Sequence, residues 1–169
     1  MSVAKSQIFI SGNLEGLNCT EKSVSDLIKA LLQVKPDLKK IFKDRPVNLS
    51  FISKKTIKEL NSEFLKKDKP TNVLSFPSTG LSFGDEILGD IAICPEIIKK
   101  EAAIQNKEEQ DHLSHLIIHS LLHLAGYDHH EADSAKQMES LEVKALKKLG
   151  IANPYWNKLI CACVYEVRR

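Results

Sequence analysis

The sequence is short of the residues that break a chain. Of 169 residues, 7 are glycine, 6 are proline and 10 are aromatic, a single tryptophan among them. That scarcity excludes collagen-like and low-complexity chains, and with 43% hydrophobic and 27% charged residues the protein can build a core. No apolar run reaches the roughly 18 residues needed to span a bilayer. The opening stretch, MSVAKSQIFISGNLEG, lacks the apolar segment and small-residue cleavage site of a secretory leader, so a cytoplasmic protein is expected. The four cysteines, Cys19, Cys94, Cys161 and Cys163, form no C-x-x-C pair, which removes thiolate zinc sites and redox motifs and leaves reduced, buried side chains. A mass of 19.0 kDa suits one domain. The expected division is a single domain over residues 1–150 and a C-terminal tail over 151–169, whose LICACV run is too short for a membrane.

A net charge of +2 hides an uneven distribution. Lys35 to Lys69 holds 11 basic and 5 acidic residues, whereas Asp85 to Glu142 holds 13 acidic and 4 basic. Solvated faces account for such runs in most proteins, but a basic segment also suits a polyanion and an acidic one a cation.

Periodicity outlines the elements. Residues 6–11 alternate as a half-buried strand before the turn signal Gly12-Asn13. Val24, Leu27, Ile28, Leu31 and Leu32 recur at helical spacing from about Thr20 to Val34, and Pro36 stops them. Val47, Leu49 and Phe51 mark a second strand. Ser53 caps a helix to about Leu65 with Ile57, Leu60 and Phe64 as its buried stripe. Strands follow at Asn72–Phe76 and Ile87–Cys94, with a long loop between them at 77–86. Helices are predicted from Pro95 to about Ala103, from about Glu108 to Ala125 where Gly126 ends the pattern, and from about Asp133 to Leu149. The last would bury Met138, Leu141, Ala145 and Leu149. Together these predict an α+β fold, a small mixed sheet of about four strands covered by helices, with a metal site on a central helix and the turn after it.

The chemistry concentrates in one window. All six histidines lie between His112 and His130. His119 and His123 are four apart, so on a helix their rings share one face and can converge on one ion. Gly126 lets the chain turn back, offering His129 or His130 as a third ligand. Three imidazoles leave a fourth position open to water, the pattern of a catalytic zinc site, although nickel, copper and iron take the same ligands. His115 lies two turns from His123, too far to share an ion with it, and like His112 reads as a satisfied core or surface residue. Apolar neighbours Ile117, Ile118, Leu121, Leu122 and Leu124 imply a buried helix where unpaired imidazoles are costly. A metalloprotease would place glutamate directly after the first histidine; here that residue is Ser120. A general base comes from elsewhere, or the metal alone lowers the pKa of its water; Asp128, Asp90 and Glu86 are candidates, each of which reads more readily as a turn, cap or loop residue.

The stretch His119-Ser-Leu-Leu-His-Leu-Ala-Gly-Tyr-Asp-His129 resembles the H-x-x-x-H-x-x-x-x-x-H signature of the YbeY family of zinc-dependent endoribonucleases and ribosomal RNA maturation factors. Leu60-Asn61, Asp68-Lys-Pro-Thr71, Val73-Leu-Ser-Phe76-Pro77 and Leu88-Gly-Asp90-Ile resemble that family's other motifs in the same order. The resemblance implies one zinc ion per chain held by His119, His123 and His129. It also implies a single-strand-specific endoribonuclease maturing the 3′ end of 16S ribosomal RNA, with the small ribosomal subunit as partner. Lysines of the 54–69 segment, Lys66 and Lys67 among them, would hold the RNA backbone. The alternative is a non-catalytic ribosome-binding factor with a mainly structural zinc. Where the family usually has an arginine this chain has Leu65, and lysines beside it supply charge without arginine's planar fork. Asn72 stands where an aspartate is common, and Ser120 where glycine is common.

Overall fold

The computed structural model describes residues 7–78, 87–128 and 131–156. Among them a four-stranded sheet runs in the order β1 (Ile8–Gly12), β2 (Val47–Phe51), β4 (Gly89–Ile93), β3 (Val73–Pro77). β1, β2 and β4 are parallel and the edge strand β3 is antiparallel to β4. The helices are α1 (Glu21–Val34), the short α2 (Lys39–Phe42), α3 (Lys54–Leu65), α4 (Pro95–Gln105), α5 (Glu109–Leu124) and α6 (Ala132–Lys148). The mixed four-stranded sheet and its covering helices bear out the expected fold class.

Side-chain alternation divides the sheet into two unlike faces. Val47, Leu49, Phe51, Ile91 and Ile93 point to one face and join Leu113, Leu116, Ile117, Leu121 and Leu122 of α5 in the main core. Leu74 and Ala92 point the other way and pack with Ile57 of α3 and with Cys94. α1 and α6 complete the first layer through Val24, Leu31, Met138, Ala145 and Leu146. Twelve of the 16 residues of α5 are buried, as an all-round apolar helix requires.

Local chemistry sets the helix ends. Thr20 Oγ1 accepts from Ser23 N–H at 3.1 Å while Ser23 Oγ accepts from Thr20 N–H at 2.9 Å, a reciprocal cap on α1. Ser53 Oγ caps α3 by accepting from Thr56 N–H at 3.2 Å. α3 stops at Lys66, which takes a left-handed conformation, φ 58°, without being glycine. Two side chains depart from the expected stripes. Phe64 is 56% exposed, its ring edge-on to Phe76 of edge strand β3 at a centroid distance of 5.1 Å. Leu149 lies past the end of α6 and is exposed. The pieces 36–38 and 39–42, a 3₁₀ turn and a single helical turn, are too short for periodicity to reveal.

Gly89 fixes how the two layers meet. A Cβ there would stand 2.5 Å from the Phe76 carbonyl oxygen and 2.7 Å from Leu124 Cδ2. The Leu124 side chain, from the last turn of α5, therefore rests directly on the β3–β4 backbone. The far ends of α3 and α5 thus reach the same short stretch of β3 from opposite faces.

Candidate metal centre

The imidazoles of α5 form one stripe, His112, His115, His119 and His123, on a helix otherwise sheathed in leucine and isoleucine. Each ring meets a particular partner. At the N-terminal end His112 Nε2 lies 2.8 Å from Glu101 Oε2 of α4, which also accepts from Asn72 Nδ2 at 3.0 Å. Burial pulls the pKa of His112 below its ordinary value of 6.5, against the opposing pull of Glu101.

Farther along, Glu142 enters from α6 with no exposure to solvent. His119 Nδ1–H donates to its Oε1 at 2.7 Å and His115 Nε2–H donates to its Oε2 at 3.0 Å. The hydroxyl of Tyr155, from the segment after α6, donates to the same Oε2. Burial by itself raises the pKa of Glu142. The positive character of His119 and the hydrogen bonds from both rings outweigh it and hold the carboxyl well below the usual carboxylate range. An ionised carboxylate accepts only, so His119 Nδ1 carries a proton toward it, and Nε2 is the atom the ring can offer to an ion.

That Nε2 lies 3.2 Å from Nε2 of His123. Two nitrogens bound to one tetrahedral zinc at 2.0–2.1 Å stand about 3.3 Å apart, so the observed spacing fits a shared ion. A second grouping uses the other side of the same ring, since His115, His119 and Glu142 each offer a ligating atom, all within 4.8 Å of one another. Residues that can hold a metal are therefore gathered on α5 and α6.

The chain then doubles back. Gly126, φ 93°, donates its N–H to His123 O at 3.0 Å and Tyr127 N–H reaches Leu122 O at 3.0 Å, the paired bonds of a Schellman turn. Asp128 follows it at the surface. His129, His130 and Glu86 lie outside the described residues.

A family model described as Endoribonuclease YbeY matches residues 10–150. The chain belongs to the YbeY family. It is 43% identical over 150 residues to Endoribonuclease YbeY of Francisella tularensis subsp. holarctica (strain FTNF002-00 / FTA), covering 85% of this chain and 92% of that relative. The protein of the same description from F. tularensis subsp. tularensis (strain SCHU S4 / Schu 4) is 48% identical over 114 residues, 64% of this chain and 68% of the relative. The solution structure of TM1509 from Thermotoga maritima superposes with a TM-score of 0.55 at 29% identity, covering 85% of this chain and 92% of that one.

Within this YbeY chain the remaining sequence candidates fall in different places. Asp90 shares the strand parity of Ala92, so it projects from the sheet face opposite α5, where Asn48 Nδ2 donates to it at 2.8 Å. Lys66 and Lys67 sit at the end of α3; Lys66 Nζ donates to Glu63 O at 2.9 Å, and Lys67 N–H donates to Asn61 O at 3.2 Å. Leu65 beside them is exposed. Ser120 is fully buried, and its hydroxyl has no partner among the described residues.

Sequence reasoning passed over Glu142 and Tyr155. The signal for Glu142 was available: it sits four residues after Met138 and three before Ala145, a carboxylate on the buried stripe of α6 that demands a partner. Tyr155 left no such trace, because its partners lie 13 and 40 residues away.

Proposed function

We propose that this YbeY protein is a metal-dependent endoribonuclease acting on single-stranded regions of ribosomal RNA, 16S 3′-end maturation being the reaction the family resemblance implies. Its metal is zinc, one ion per chain, held by His119, His123 and His129. The observation that carries this reading is the 3.2 Å approach of the His119 and His123 Nε2 atoms, with His119 already braced at Nδ1. A ligating histidine whose other nitrogen donates to a carboxylate is the usual arrangement in metal proteins. Glu142 fits that bracing role better than a ligand's role, because both its oxygens are engaged and it has no exposed edge through which substrate could arrive.

When bound, the ion supplies Lewis acidity, polarising a phosphoryl oxygen and lowering the pKa of water toward about 7. The chain supplies the rest. His119 and His123 present lone pairs on one helical face, and Glu142 keeps His119 in the tautomer that does so. Lysines of α3 and its following turn attract the RNA backbone from beside Phe76. Lys54 and Lys58 are partly neutralised by Glu96 at 3.2 Å and Asp68 at 3.3 Å. Unpaired RNA suits the site, since a flexible strand brings a phosphate to a recessed ion more easily than a stiff duplex does.

The test is cleavage of a short single-stranded RNA by metal-replete protein and by His119→Ala, both freed of contaminating nucleases. Cleavage by the first and none by the second is expected. Equal cleavage by both would reject metal-dependent catalysis, and no cleavage by either would favour a ribosome-binding factor with a structural ion. Partition with the cytoplasmic fraction and with the small ribosomal subunit is expected on the same reading.

A further inference from the structure

We propose that Tyr155 is a positioning residue for the metal site: its hydroxyl fixes the Glu142 carboxylate, which fixes His119 with Nε2 turned toward His123. The proposal rests on the metal reading above and extends it to a segment beyond the matched family region, which ends at residue 150. Four groups form one buried relay. Glu142 Oε1 is taken by His119 Nδ1–H, while Oε2 is shared by His115 Nε2–H and the Tyr155 hydroxyl. The Tyr155 hydroxyl also lies 3.2 Å from His115 Nε2, and the two rings meet edge to face at a centroid distance of 5.4 Å. A carboxylate with no solvent contact keeps its plane only through such donors, because no water corrects its orientation.

The segment is itself tied down. Tyr155 N–H donates to Asn153 Oδ1 at 2.9 Å, and Lys107 Nζ donates to the Pro154 carbonyl at 2.7 Å. Pro154 and Tyr155 are buried, whereas Trp156, the next residue, is 88% exposed. The turn is thus anchored at Pro154 and Tyr155, while the Trp156 side chain stands in solvent. By linkage, if the docked turn steadies His119 for metal, metal must in return steady the turn by an equal free energy.

Three measurements on the full chain test this. In competition with a chromophoric chelator, Tyr155→Phe, which removes one oxygen and keeps the ring, is expected to weaken zinc binding about 5- to 20-fold. Glu142→Gln should weaken it about 10- to 100-fold, the range seen for residues that brace metal ligands. Metal-free Tyr155→Phe is expected to unfold at a lower temperature but to keep a cooperative transition well above the temperature of the binding assay, which separates weakened binding from unfolding. Independently, hydrogen exchange at the Tyr155 amide of the wild type should slow on zinc addition, a readout that needs no variant to fold. Zinc affinity of Tyr155→Phe within twofold of wild type, or unchanged exchange at Tyr155 on saturation, would overturn the proposal and leave the metal site intact. Wild-type protein that binds no zinc would overturn both.

Discussion

The two ends of α5 use the same residue pair, histidine and glutamate, to opposite effect. At the N-terminal end His112 meets Glu101, and Asn72 helps to engage the carboxylate, so the arrangement closes on itself. At the C-terminal end His119 meets Glu142, yet its second nitrogen faces another imidazole instead of hydrocarbon. Nδ1 of His112, by contrast, is buried with no partner among the described residues. A carboxylate behind a histidine therefore does not mark a metal site by itself. On the reading proposed above, what the far nitrogen faces separates the structural pair from the metal-binding one.

The strongest way to break the comparison is to remove one ring at each end. His123→Ala should reduce bound zinc from about one per chain to almost none and abolish RNA cleavage, since a site missing one of three ligands loses most of its affinity. His112→Ala should retain the zinc and instead cost about 2 kcal/mol of stability by stranding Glu101 and Asn72. Elemental analysis and urea denaturation of both variants decide it; loss of zinc from His112→Ala would dissolve the distinction.

Acid should next separate the two ends of the metal-free protein. His112 takes up a proton less readily when folded than when unfolded, so the unfolded state gains protons first as pH drops below about 6.5 and stability falls from there. Glu142 is displaced in the same direction, but its contribution is complete above its ordinary value of 4.5 and is lost only below it. Urea midpoints at pH 7.5, 5.5 and 3.5 should therefore fall in two stages. His112→Leu should flatten the upper stage alone.

A smaller effect sharpens the view of the C-terminal end. Leu65→Arg restores the residue usual in the family beside the basic flank. It is expected to raise affinity for single-stranded RNA several-fold and steepen the salt dependence by about 0.7 in log–log slope, one added phosphate contact. Nothing at the His112 end should respond. Smallest is Lys66→Gly, which places the unhindered residue at a left-handed helix end and should add about 1 kcal/mol with zinc content unchanged.

Much of this was legible in the chain. Periodicity marked α1 and α6 because each buries a regular stripe, α5 stood out as a long run buried nearly all round, and the i, i+4 spacing of His119 and His123 foretold their approach. The sheet order was hidden, since β2 pairs with β4 across 42 positions and no local pattern encodes that choice. Phe64 was misjudged for a related reason: apolar spacing says which residues share a face, but not where the neighbouring strand ends. Glu142 was passed over although its place on the buried stripe of α6 was readable, whereas Tyr155 was hidden because its partners lie 13 and 40 residues away.

Gly89 gives the arrangement a mechanical meaning. The Leu124 side chain from the last turn of α5 and the Phe76 carbonyl of β3 close on the same point of β4. A methyl group there would act as a shim, parting β3 from β4 and pushing the Leu124 side chain out of its seat beneath the helix end. The absence of one atom thus sets how closely three elements meet at a single point.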